Sequence, residues 1–97
     1  MHEIGVLKHV SYVLEAFAGG TTSEGKRELT VLIAHVERDS VLAKDCQAEL
    51  LRRLRSAQKA VTEPDAYRGT LIELASATSY MWERVLPGWP YDSAKED

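Results

Sequence analysis

Ninety-seven residues, 44% of them apolar and 28% charged, are enough for one small globular domain and leave little room for disorder beyond the chain ends. The net charge of −3, from 15 acidic and 12 basic residues, argues against a protein that coats nucleic acid through a general basic excess. The single cysteine, Cys46, excludes an internal disulfide framework and a zinc site built mainly from thiolates.

Residues 2–18, HEIGVLKHVSYVLEAFA, follow a helical period. Ile4, Leu7, Val10, Leu14 and Phe17 recur at i+3 and i+4, and Val6 and Val13 widen that face until only Lys8, Tyr12 and Glu15 form a polar stripe. So broad an apolar girth needs partners on two sides, which makes this the central helix of a bundle or a helix shared with a second copy. Glu3, Lys8, His9 and Glu15 interrupt the apolar opening, so no signal peptide is expected. Nothing in the chain approaches the roughly 18 unbroken apolar residues of a membrane span. With Met1 at one end and a polar run at the other, the chain reads as a complete small protein in a reduced, cytoplasmic setting.

Gly19-Gly20 stops the first helix, and TTSEGKRE is the clearest loop. Ser23 or Thr22 is expected to cap the second helix, with Glu24 and Glu28 near its positive end. Leu29, Leu32, Ile33 and Val36 then face inward. The stretch ERDSVLAKD, 37–45, carries neither Gly nor Pro, yet Asp39 or Ser40 offers an N-cap after a corner. A third helix over 41–61 carries Leu42, Cys46, Leu50, Leu54, Ala57 and Val61 at 4-4-4-3-4 spacing. Pro64 and Asp65 open a fourth helix running to Leu86, with Tyr67, Leu71, Leu74, Thr78, Met81 and Val85 as its inner face. The small side chains of ASATS, 75–79, allow a neighbouring helix to come close.

These elements predict an all-α fold, a four-helix up-down bundle. The alternative has three helices, one of them long and bent over 24–61. Either form is open to dimerisation, with helix one as the shared surface. The whole of 1–97 is one domain, and Pro87 sets off 87–97 as a non-helical tail.

No constellation for catalysis emerges. His2 and His9 stand two turns apart, about 10 Å along a helix, too far to share a metal. A metal site would need His35 folded against His9, with carboxylates added. Glu37, Asp39, Asp45, Glu49, Glu73 and Glu83 scatter outward rather than repeat on an inner face. Cys46 on an apolar stripe behaves as a small hydrophobe. AGGTTSEGK lacks the Gly-Lys-Ser/Thr ending of a phosphate loop, since Arg27 follows Lys26. The expectation is therefore a protein that is not an enzyme and holds no metal or cofactor.

Two surfaces remain. Five basic and two acidic residues fall within 44–60, leaving the rest of the chain acidic. Arg52, Arg55 and Lys59 share one face there, suited to an acidic protein surface or to phosphates, unless neighbouring acids pair with them. The second surface is YMWERVLPGWPYD, 80–92, where Trp82, Trp89 and Tyr91 form either a lid over the bundle end or a contact for a partner. The expected function is that of a small stand-alone helical binding protein acting through protein–protein interaction, as an adaptor or inhibitor. A phage- or plasmid-encoded inhibitor of a host protein has this general form. A nucleic-acid-associated regulator using the basic face of helix three is the alternative.

Overall fold

A computed structural model of the chain describes residues 2–62 and 66–86. Four helices make up the described residues: α1 (His2–Ala18), α2 (Thr22–Arg38), α3 (Lys44–Ala60) and α4 (Ala66–Val85). There is no strand among them. The expected start of the fourth helix at Pro64 and the whole of the 87–97 tail lie outside the described residues.

α1 ends where a side chain becomes a liability. Gly20 has φ +90, a conformation that costs an L-residue with a Cβ roughly 1–2 kcal/mol. The Gly20 N–H then reaches the Phe17 carbonyl at 3.2 Å. Thr21 satisfies the Ala16 carbonyl twice, from its N–H at 2.9 Å and its hydroxyl at 2.8 Å. Thr21 is also the residue that precedes α2, so the cap expected from Ser23 or Thr22 is not made there. The hydroxyl next to α2 closes the helix behind it instead.

The corner between α2 and α3 settles the choice of four helices over three. Asp39 turns extended, with ψ 124, and its Oδ1 accepts the N–H groups of Val41 at 2.8 Å and Leu42 at 2.9 Å. Gln47, in the first turn of α3, aims Nε2 at the last carbonyls of α2: Val36 at 2.7 Å, Asp39 at 3.1 Å and Glu37 at 3.3 Å. Two amide hydrogens serve three carbonyls at this helix end, of which Val36 also accepts the Asp39 N–H at 3.2 Å. Side-chain hydrogen bonds therefore break the chain where no Gly or Pro does. The third helix begins three residues later than expected, and Leu42 packs into the core from the connection.

α1 packs against α2 and α4, and α3 packs against the same two helices. The broad apolar girth of α1 is thus taken up on two sides within the chain. The core runs through Val10 and Val13 of α1, Leu29, Leu32 and Val36 of α2, Cys46, Leu50 and Leu54 of α3, and Leu74 and Met81 of α4. Each fully buried aliphatic side chain contributes about 1.5–3 kcal/mol relative to exposure.

The α4 inner face differs from the expected stripe. Thr70, Leu74, Ala77, Met81 and Val85 are buried, Leu71 is half-buried, and Tyr67 is 55% exposed. α4 faces two neighbours, α1 and α3, so its buried sector is centred between them and takes in Thr70 and Ala77. Tyr67 lies at the helix start, where its hydroxyl reaches out to the Ala18 carbonyl at 3.3 Å.

Candidate functional site

The basic face of α3 is engaged within the chain. Arg52 donates to Glu49 on its own helix, with Nη2 to Oε2 at 2.5 Å and Nε to Oε1 at 3.2 Å. Arg55 reaches across to Glu37 at the end of α2. Lys59 makes no ion pair among the described residues and is exposed. Arg53, one position off that face, is turned inward. Its Nε bonds Glu49 at 2.7 Å, its Nη1 bonds the Ser76 carbonyl and hydroxyl at 3.0 Å each, and its guanidinium lies 4.8 Å from the Tyr80 ring centre. Hydrogen bonds from Arg52 and then Arg53 hold the Glu49 carboxyl at about 2, against an ordinary 4.5. The same pairing raises the Arg52 guanidinium above its ordinary value. Through Arg53 this segment is a clasp between α3 and α4, and Arg52, Arg53 and Arg55 are all held by Glu49 or Glu37.

His9 and His35 do meet across α1 and α2, with ring centroids 5.7 Å apart and planes at 61°. His9 Nε2 lies 3.3 Å from Glu28 Oε1. Among the described residues, no group of three or more histidine, cysteine or carboxylate side chains is arranged to hold a metal ion. Cys46 is fully buried with Sγ 3.9 Å from the Met81 sulfur, and burial pushes its thiol above the ordinary value. A neutral, enclosed thiol is a poor nucleophile.

The outer side of α1 and α4 is different in kind. α2 and α3 turn mostly polar and charged residues outward, including Lys26, Arg27, Arg38, Lys44, Arg52 and Lys59. α4 turns out Ile72 and Trp82, and Leu86 follows just past its end; they are 56%, 41% and 54% exposed. Ile4, Leu7, Tyr12, Trp82 and Val85 line a groove of about 370 Å³ between the two helices, with Lys8 and Glu15 also at its walls. Tyr12 is partly exposed, and its hydroxyl is tied to Glu24 of α2.

Of the residues singled out in the sequence, Trp82 stands on this groove, while Arg52, Arg55 and Lys59 lie on α3. Trp89 and Tyr91 fall outside the described residues. Ile72, Leu86 and Tyr12 were not anticipated as surface contacts. The signal for two of them was present: Ile72, Ala75, Ser79, Trp82 and Leu86 follow a 3-4-3-4 spacing on the side of α4 opposite its core. Comparison of the chain with protein-family models, with curated proteins and with solved structures finds no match.

Proposed function

We propose that the chain is a small helical binding protein that acts by occupying a surface of another protein, as an adaptor or inhibitor, through its α1/α4 face. The observation that carries this reading is the contrast between the two sides of the molecule. The α2 and α3 surfaces are charged, with Arg52, Arg53 and Arg55 paired to Glu49 and Glu37, whereas the α1/α4 side presents Ile72, Trp82 and Leu86 beside an apolar groove. Clustered exposed apolar side chains mark contact surfaces, and a tryptophan in such a cluster supplies much area with few rotatable bonds.

In this reading the helices run up and down in chain order. Each neighbours the next and α4 returns to α1, which is compatible with that order. The protein works in a reduced, cytoplasmic setting, without a catalytic group. Two of the three cations needed for a nucleic-acid reading, Arg52 and Arg55, are paired with carboxylates. Phosphate binding would have to displace those pairs, so the α3 face is the weaker candidate. The test is affinity capture with the full chain and with Trp82→Ala. Loss of specifically captured protein in the variant is expected. Recovery of the same proteins at the same strength removes the α1/α4 face from the mechanism.

A further inference from the structure

The outward stripe of α4 has the form of a helix–helix seam. Ile72, Ala75, Ser79, Trp82 and Leu86 alternate in steps of three and four, the spacing of a and d positions in a coiled coil. They run about 21 Å along the helix. None is charged. Val85, Met81, Ala77, Leu74 and Thr70 already serve the core on the other side, so α4 is apolar on two faces and only one is covered.

The order of side chains along the seam fits a reversed copy of itself. Ile72 with Trp82 and Ala75 with Ser79 share one midpoint, residue 77. When two such helices are laid antiparallel about that point, Ala75 meets Ser79 in two central layers and Ile72 meets Trp82 in the flanking ones. Small residues at the centre let the helix axes approach, and the large ones close the seam on either side. Charge agrees. Arg68 lies at one end of the stripe and Glu83 at the other, both exposed and neither in an ion pair among the described residues. Antiparallel pairing brings Arg68 of each copy near Glu83 of the other, whereas parallel pairing sets like beside like. The aliphatic stem of Arg68 also covers Leu86 of the second copy in that arrangement.

We infer that the outward stripe of α4 is occupied by a second copy of the chain, joined as an antiparallel two-fold dimer. The inference rests on the α1/α4 face being a protein-docking surface: the second copy takes the α4 stripe, beside the groove that α1 lines with Ile4, Leu7 and Tyr12. A two-fold axis makes every contact occur twice, which suits a short seam.

Sedimentation equilibrium over a range of concentrations tests it, using wild type, Ala75→Arg, Glu83→Arg and the double variant Arg68→Glu/Glu83→Arg. All these positions are exposed or partly exposed, and far-UV circular dichroism checks that each variant keeps its helices. Wild type is expected at the two-chain mass and Ala75→Arg at the one-chain mass. Glu83→Arg should weaken association roughly tenfold, and the double reversal should restore it. A wild type that stays at one-chain mass throughout, or equal behaviour of Glu83→Arg and the double variant, overturns the inference. If wild type is a monomer but Trp82→Ala still loses a captured protein, the dimer falls and the docking face stands. If Trp82→Ala changes neither self-association nor capture, both fall.

Discussion

Gly25 shows how closely single residues are fitted here. A Cβ built on it would lie 2.8 Å from Cδ2 and Cε2 of Phe17. The Phe17 ring is 2% exposed, so shifting it disturbs the core residues packed around it. Gly25→Ala gains up to about 1 kcal/mol of helix propensity but forces repacking that costs about 1–3 kcal/mol. With the full gain set against the cost, the net expectation is destabilisation by up to roughly 2 kcal/mol, read as a lower midpoint in urea with an unchanged slope. Gln47 is fitted by chemistry rather than by volume. Its amide donates to carbonyls at the end of α2, and Gln47→Glu keeps the shape but replaces the donor with a carboxylate facing that negative helix end. The variant should lose about 1–3 kcal/mol at neutral pH. Lowering the pH should recover part of the loss, because a protonated carboxyl can donate. A deficit that stays constant with pH would show that Gln47 acts through packing alone.

Between elements, the α3/α4 clasp predicts an acid-side signature. Arg52 and Arg53 together hold the Glu49 carboxyl at about 2, below the ordinary 4.5. A carboxylate depressed in the folded state stabilises the fold above its unfolded value, and that contribution fades as pH falls through the folded one. The window is therefore from about 4.5 down to about 2. Glu49→Gln should lower the melting temperature at neutral pH and flatten its fall across that window. An acid limb identical to wild type would mean that other carboxylates govern it. The α2/α3 corner teaches a related lesson. The sequence from Glu37 to Asp45 contains no residue that forbids a helix, yet Asp39 and Gln47 together make the break by hydrogen bonding. The Asp39 part is local and was expected, whereas the Gln47 part bridges up to eleven residues and is faint in a local reading.

For the molecule as a whole, Cys46 is a reporter of global opening. It lies in the shared core between α3 and α4, with no exposed surface, and burial raises its thiol above the ordinary value. Thiol labelling should proceed only through unfolding, with a rate that rises with denaturant along the unfolding transition. Fast labelling without denaturant would show local opening of α3 or α4 rather than a cooperative core.

The helical class, the extent of α1, the inward faces of α2 and α3, and the burial of Cys46 were all legible in the sequence, because 3.6-residue periodicity is a local property of the chain. On α4, Leu74, Met81 and Val85 were legible as well, but the burial of Thr70 and Ala77 and the exposure of Tyr67 were not; that acids would pair with the basic face was open in the sequence, but which acids was not. Thr70 is buried and Tyr67 is exposed because α4 is wedged between two neighbours, and its phase follows their positions. Arg55 finds Glu37 eighteen residues away only once α2 and α3 lie side by side. Packing covers one side of α4 and leaves Ile72, Trp82 and, just past its end, Leu86 outside. Periodicity fixes which residues share a helix face. Only the placement of neighbouring helices decides which faces are covered, and so which one is left for a partner.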